Sequence, residues 1–277
     1  MDIGSAKPNQ QERDEVPHHL LDLVGAEESF SVGKYQDALE ATLKTLHAED
    51  KLPIIDCGTP MYLQAFLSGI LDAPDPDPDL RQELESRPNQ QLMDDLRQRD
   101  PAAAERLHLN DRKRLVRALE YAIQTGEAIS GRQRHFDRVR DDYRIILTGP
   151  LWAGETLRPR INLRIQRMLD AGLVAEVERI QKGEGFSQSA AAAIGYRQIL
   201  DYLDGKLSLE EAIEKIQNRT WNLARKQLMW FKRHQAMKWI HVADEAELRR
   251  AAVFLSGEVL DAWRPDDHGL PLGLERP

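Results

Sequence analysis

The stretch Leu52-Pro53-Ile54-Ile55-Asp56-Cys57-Gly58-Thr59 decides the predicted fold, because an apolar run changes there into a glycine turn. The run is short enough for a buried strand, and Gly58 allows the chain to turn sharply after it. Helical periodicity flanks the run over 32–48 and 61–71. This order of helix, strand, turn and helix predicts an α/β fold with a parallel sheet, whose binding sites lie at the carboxyl ends of the strands. Thr59 stands at such an end.

The rest of the chain divides into a core and an insertion. Residues 72–79 alternate Asp and Pro, which excludes a helix, and the pattern that follows is helical as far as about residue 134. The run Tyr143-Arg144-Ile145-Ile146-Leu147 is a second strand candidate, and 163–180 has the periodicity of one amphipathic helix. The predicted regions are an α/β core of residues 1–71 and 141–262, a helical insertion of residues 72–140, and a disordered tail of residues 263–277.

Capping signals set the ends of two predicted helices. Asn110-Asp111 precedes a helical pattern over 114–123, and Gly126 ends it. The string Ser208-Leu209-Glu210-Glu211 is a capping-box pattern that opens a long helix over about 209–234.

Composition limits the classes of protein. The chain has 277 residues, of which 41% are hydrophobic and 30% are charged, enough for one large or two small domains. No apolar run approaches the roughly 18 residues of a membrane span. The single Cys57 excludes an intrachain disulfide and a multi-cysteine metal site. Because no signal peptide is recognisable, we expect a reduced, cytoplasmic protein that does not associate with membranes.

Basic residues are clustered although the net charge is −8. One cluster alone is typical of a solvated helix face, whereas three in an acidic protein leave a solvated face and contact with phosphate groups equally open. Arg160 and Arg164 are four residues apart on one predicted helix face, where their guanidinium forks could grip phosphate oxygens. The clusters are Arg112, Lys113, Arg114 and Arg117; Arg158, Arg160, Arg164 and Arg167; and Lys215, Arg219, Arg225, Lys226, Lys232, Arg233 and Lys238.

Six boxes resemble, in order, the motifs of the tRNA dimethylallyltransferases, also called tRNA isopentenyltransferases. The chain departs from the family pattern at Asp56, Cys57 and Trp221, and it inverts a Lys-Arg pair at Arg225-Lys226. The boxes are 1–8 (MDIGSAKP), 58–62 (GTPMY), 113–120 (KRLVRALE), 157–169 (LRPRINLRIQRML), 192–198 (AAIGYRQ) and 220–231 (TWNLARKQLMWF).

The resemblance implies a fold, a reaction and partners. The fold would be a P-loop-kinase-like parallel sheet core with a helical insertion. The reaction would move a dimethylallyl group from dimethylallyl diphosphate to N6 of the adenosine 3′ to the tRNA anticodon, position 37. The implied partners are the anticodon stem-loop and dimethylallyl diphosphate, with Mg²⁺ on the diphosphate, a nucleotide- and ATP-binding type of core, no protein metal ligand and a monomeric enzyme.

The resemblance also implies residue roles. Thr59 and Arg164 would be catalytic, and Arg160 would join them in binding the diphosphate. The string around Tyr196 adds a stacking ring and a phosphate fork to a close backbone approach. The residues implied to contact tRNA are Arg81, Lys113, Arg114, Arg117, Gly195, Tyr196, Arg197, Arg225 and Lys226.

The family's phosphate-binding loop, G-x-x-x-x-G-K-[ST], does not occur in the 277 residues. In the family this loop, a first strand and a general-base Asp precede the box at 1–8, and Asp2 is not that base. We therefore expect an N-terminally truncated and inactive chain. Three hypotheses stay open: a transferase whose start is misassigned, a non-catalytic tRNA-binding protein, and an enzyme that prenylates free adenine nucleotides. The long insertion favours tRNA over a free nucleotide.

Overall fold

The computed structural model describes residues 1–69, 73–75, 77–132 and 140–262, so the predicted tail lies outside the described residues. Two compact units divide the chain: one comprises Met1–Leu63 and the chain from Asp141 onward, and the other is Gln64–Arg140. None of the described helices combines the length and apolarity that a membrane span requires.

The secondary structure is mainly helical. The elements in chain order are α1 (Gln10–Glu15), α2 (Val32–Ala48), α3 (Pro60–Ser68), α4 (Pro78–Ser86), α5 (Asn89–Arg99), α6 (Pro101–Arg106), α7 (Arg112–Thr125), α8 (Ile129–Arg132), β1 (Thr148–Trp152), α9 (Gly154–Asp170), α10 (Leu173–Lys182), α11 (Gln188–Ala191), α12 (Tyr196–Leu203), α13 (Leu209–Phe231), β2 (Lys238–Val242) and α14 (Glu245–Ala262).

The unit that contains both chain ends combines a small parallel sheet with a helical core. β1 pairs with β2, with Thr148 opposite Lys238 and Trp152 opposite Val242. The chain passes from the carboxyl end of β1 directly into α9, the strand-to-helix order typical of α/β proteins. The buried residues of the helical core come from α9, α10, α12 and α13: Ile161, Ile165, Leu173, Val177, Ile180, Tyr196, Ile199 and Ile216.

The unit Gln64–Arg140 has a separate helical core. The apolar faces of α4 to α8 meet there, and α7 supplies the largest share of buried residues. The start and end of the unit meet where the backbone N–H of Arg140 donates to the Leu67 carbonyl at 2.7 Å. The core residues are Leu84, Leu92, Met93, Leu96, Ala103, Ala104, Leu115, Val116, Ala118, Leu119, Tyr121 and Ile129. The unit begins within α3, eight residues before the predicted position 72.

The predicted α/β class with a parallel sheet is confirmed, but both strand positions are wrong. The run 52–55 has no strand partner among the described residues, and Ile54 is 90% exposed. The candidate at 143–147 ends where β1 begins, at Thr148. β2 was not predicted. A strand exists only where a second strand completes its hydrogen bonds, so apolar content alone does not locate it.

Local helix signals were more reliable. Ser31 caps α2, whose bounds are those predicted, and Ser208 and Glu211 form the predicted capping box of α13. Gly126 ends α7 in the left-handed conformation, with φ +72°. The single helix predicted over 163–180 is wrong, because the chain ends α9 and restarts α10 at Gly172, whose φ is +96°.

Candidate active site and tRNA-binding surfaces

The turn at Gly58-Thr59 is held by α13. The side-chain amide of Gln227 donates to the Gly58 carbonyl at 2.6 Å. A Cβ atom at Gly58 would lie 2.8 Å from Gln227 Nε2, so only glycine allows this approach without a shift. The Thr59 carbonyl accepts from the backbone N–H of Tyr62 at 3.0 Å, and Thr59 is exposed at the amino end of α3. Its hydroxyl is thus accessible to a ligand at the start of α3.

Two stacked tyrosines support this turn. The rings of Tyr35 and Tyr62 lie 4.3 Å apart at an interplanar angle of 11°. Burial, together with the neighbouring Cys57 and Tyr62 groups, raises the pKa of Tyr35 to about 12. Burial also raises the pKa of the Cys57 thiol, which donates to the Thr59 carbonyl at 3.4 Å. The raised pKa favours the protonated thiol, which contacts the turn.

The predicted phosphate-binding arginines of α9 differ in their surroundings. Arg160 lies over the Trp152 ring, 4.1 Å from its centroid, and its Nη1 atom is 3.0 Å from Glu245 Oε1. Arg164 is exposed and has no polar partner among the described residues. Ile161 and Ile165 anchor α9 in the core. Arg164 therefore keeps all its donors for a ligand, whereas Arg160 is partly engaged.

The loop at 1–8 is bound to a buried carboxylate. Backbone N–H groups of Asp2, Ile3 and Gly4 donate to Glu176, and Gly4 N–H also donates to the Tyr196 hydroxyl at 3.1 Å. That hydroxyl donates to Glu176 Oε2 at 2.8 Å. Burial opposes ionisation of Glu176, but these hydrogen bonds outweigh it and hold its pKa below the ordinary value.

The string 195–197 therefore does not present a stacking ring in this structure. Tyr196 is only 1% exposed and belongs to the core. Gly195 is also buried, with φ +94°, and its N–H donates to Gln198 Oε1 at 3.0 Å. Arg197 is the exposed member and lies 3.3 Å from Asp201. Because the Tyr196 ring is buried, it does not stack on a base as expected. The exposed Arg197 remains able to reach a ligand.

Two sets of basic residues face solvent on helices. On α7, Lys113 and Arg114 are exposed, and Arg114 pairs with Asp111 at 3.3 Å. On α13, Arg225 and Lys226 are exposed one turn after the half-buried Trp221. Both sets lie opposite an apolar helix face, the arrangement that presents cations outward.

Arg81 and Arg117 contact the same carboxylate. Arg81 Nη2 lies 2.5 Å and Arg117 Nη1 lies 2.8 Å from Glu120 Oε2. Glu120 is fully buried on α7, and roughly a third of each arginine side chain is exposed. The two predicted tRNA contacts are thus joined by a residue that the sequence interpretation did not select.

Three important polar residues were missed: Glu120, Glu176 and Gln227. Glu120 and Glu176 were visible as carboxylates within otherwise apolar helix stripes, beside Leu119 and Val177. A charged residue at such a position signals a buried partner. Gln227 gave no such signal, because it lies among polar residues of α13.

Comparison with known proteins decides the family. The sequence profile of the IPP transferases matches residues 1–234. The chain belongs to the IPP transferase family. A tRNA dimethylallyltransferase of Natranaerobius thermophilus is 36% identical over 250 residues, covering 88% of this chain and 75% of the relative.

Solved structures agree with this membership. A tRNA isopentenylpyrophosphate transferase of Staphylococcus epidermidis has a TM-score of 0.65 and 30% identity, covering 95% of this chain and 87% of its own. A eukaryotic dimethylallyltransferase acting on tRNA has a TM-score of 0.77 at 22% identity, covering 95% of this chain and 70% of its own. The second likeness concerns the fold alone.

No three His, Cys, Asp or Glu side chains among the described residues stand together as a metal site.

Proposed function

We propose that this protein transfers a dimethylallyl group from dimethylallyl diphosphate to N6 of the adenosine at position 37 of tRNA. The match of the IPP transferase profile over residues 1–234 is the observation that carries the proposal. In the reaction, a bond forms between N6 and the allylic carbon, the bond from that carbon to the diphosphate oxygen breaks, and N6 loses a proton.

The diphosphate side is assigned to Thr59 and Arg164, with Arg160 beside them. Support comes from the exposed Thr59 at a helix amino end and from the unengaged guanidinium group of Arg164. Negative charge grows on the leaving diphosphate, so a donor placed there stabilises the transition state more than the bound substrate. The contact between Gln227 and the Gly58 carbonyl would keep Thr59 in place.

The tRNA side is assigned to exposed cations. Cations that neutralise phosphates supply affinity, and aromatic rings near them suit looped RNA. The residues proposed to contact tRNA are Arg81, Lys113, Arg114, Arg117, Arg197, Arg225 and Lys226, with Gly195 and Tyr196 supporting Arg197 from the core. We also propose that the enzyme works as a cytoplasmic monomer. Any Mg²⁺ would reach the site with the diphosphate.

The test is direct detection of product. The assay uses the polypeptide of residues 1–277. It is incubated with dimethylallyl diphosphate, Mg²⁺ and unmodified tRNA or AMP, followed by mass spectrometry of nucleosides. Dimethylallyladenosine at position 37 supports the proposal. Product from AMP alone would favour the free-nucleotide enzyme, and tight tRNA binding without product would favour a non-catalytic binding protein.

A further inference from the structure

Glu120 connects two of the proposed tRNA-contacting arginines within the unit Gln64–Arg140. Its Oε2 atom accepts from Arg81 of α4 and from Arg117 of α7. The carboxylate is 0% exposed, whereas the side chains of Arg81 and Arg117 are 36% and 35% exposed. Each guanidinium group is therefore anchored through one terminal nitrogen, Nη2 of Arg81 and Nη1 of Arg117, while its side chain is partly exposed. We infer that Glu120 is a positioning residue, which orients both groups toward phosphates of the tRNA backbone; the inference rests on the proposed function.

The hydrogen-bond geometry between Glu120 and the two arginines does not maximise stability. Glu120 Oε1 and Arg81 Nε are buried and have no hydrogen-bond partner within the described part of the chain. A bidentate pair would use both carboxylate oxygens and two N–H groups of one arginine. Here one oxygen serves two arginines, and buried hydrogen-bonding capacity goes unused on both sides of the pair. Apolar residues in place of all three charged ones would avoid that penalty, so the group of Arg81, Arg117 and Glu120 needs a reason besides stability.

The second contact of Arg117 supports the same inference. Its Nη2 atom lies 3.5 Å from the Pro74 carbonyl, while Nη1 bonds Glu120. Two acceptors on different chain segments therefore hold the guanidinium plane. A long side chain held in this way loses less rotational freedom when it binds a phosphate, which strengthens binding.

The two possible roles of Glu120 predict opposite results. Two arginines and one carboxylate carry a net charge of +1, so Glu120→Gln raises the local charge to +2. If Glu120 only screened the arginines, this substitution would tighten tRNA binding and steepen its salt dependence. If Glu120 positions them, binding weakens although a negative charge has been removed.

The experiment measures the affinity of the full chain for a fluorescent anticodon stem-loop over a KCl series. We expect Glu120→Gln to weaken binding roughly tenfold, the size of one lost charge-assisted contact, and to reduce the salt slope by about one. Asp100→Asn is the matched control. It also removes a buried carboxylate of this unit, one that bonds Ser130 and the Ala103 N–H and contacts neither arginine. Unchanged or tighter binding by Glu120→Gln would overturn the inference, as would equal weakening by the control.

Further variants test whether Glu120 acts through the arginines. In a chain carrying Arg81→Ala and Arg117→Ala, Glu120→Gln should change affinity less than twofold, and a full tenfold effect there would contradict the inference. If Glu120→Gln does not fold by circular dichroism, Glu120→Asp replaces it. Its shorter side chain keeps the charge but not the reach to both arginines, so wild-type affinity would contradict positioning. Failure of the wild-type chain to bind tRNA would contradict the proposed function as well as this inference. If the wild-type chain binds tRNA and Glu120→Gln binds it with the same affinity, only this inference is contradicted.

Discussion

Replacing Glu176 with Gln should weaken the hydrogen bonds that attach the loop at 1–8 to the helical core. Each carboxylate oxygen of Glu176 receives two hydrogen bonds: Oε1 from the N–H groups of Asp2 and Ile3, and Oε2 from Gly4 N–H and the Tyr196 hydroxyl. Glutamine retains one oxygen and places an NH₂ group at the other position. If the NH₂ group replaces Oε1, the N–H groups of Asp2 and Ile3 face a donor and lose their acceptor; if it replaces Oε2, the Gly4 N–H loses this acceptor and the Tyr196 hydroxyl has to turn and accept.

The expected loss is about 2–4 kcal/mol of unfolding free energy. A hydrogen bond to a charged group contributes about 1.5–3 kcal/mol, so two lost bonds amount to roughly 3–6 kcal/mol. Burial of a neutral amide costs less than burial of a carboxylate, which offsets part of that loss. For a chain of this size the melting temperature should fall by about 5–15 °C.

Thermal unfolding and hydrogen exchange measure this prediction. The amides of Asp2, Ile3 and Gly4 should exchange faster in Glu176→Gln, because their acceptor is altered. Glu178→Gln is the control: it lies on the same helix, its side chain is 46% exposed, and its partner among the described residues is Lys182, so it should change stability by less than about 0.5 kcal/mol. Exchange and melting of Glu176→Gln that match the wild type would refute the assigned role of Glu176.

The pH dependence gives an independent check. The pKa of Glu176 is lower in the folded protein than its ordinary value of 4.5. Its contribution to stability is therefore present above that ordinary value and is lost as the pH falls through the folded value. The stability difference between wild type and Glu176→Gln should shrink over that acid range. A difference that stays constant would show that ionisation of Glu176 does not stabilise the loop.

Three further results are expected. Gln227→Ala removes the 2.6 Å hydrogen bond to the Gly58 carbonyl. It should lower the rate of single-turnover transfer about tenfold and the free energy of unfolding by about 1 kcal/mol. A loss of stability with an unchanged transfer rate would contradict the positioning role of Gln227. Arg164→Ala should raise the barrier of the chemical step by about 2–4 kcal/mol in single-turnover assays. Arg117→Ala should instead weaken tRNA binding and lower the salt slope of binding by about one. If Arg164→Ala affected only binding and Arg117→Ala only the chemical step, the two assigned roles would be reversed. Gly172→Ala places a side chain at φ +96° and should lower the free energy of unfolding, measured by urea titration, by about 1 kcal/mol or more. An unchanged urea midpoint would contradict backbone strain at the junction between α9 and α10.

Helices were predictable wherever their signals were local. The bounds of α2, the capping box of α13 and the end of α7 at Gly126 all follow from residues within a few positions of the helix end. The motif boxes were similarly readable, because each is a short contiguous string. The break between α9 and α10 was missed although Gly172 is visible in the sequence, since an isolated glycine within a periodic pattern does not always end a helix.

The sequence by itself determined the family, the α/β class, the ends of these helices and the identity of the basic clusters. Only the tertiary structure decided which strands pair, which of the arginines are engaged, and that Tyr196 is buried instead of exposed. The reason is the separation of the partners along the chain. β1 pairs with a strand 90 residues away, and Glu176 binds a loop more than 170 residues before it. Contacts over such distances depend on how helices pack around a shared core, which periodicity and capping do not encode.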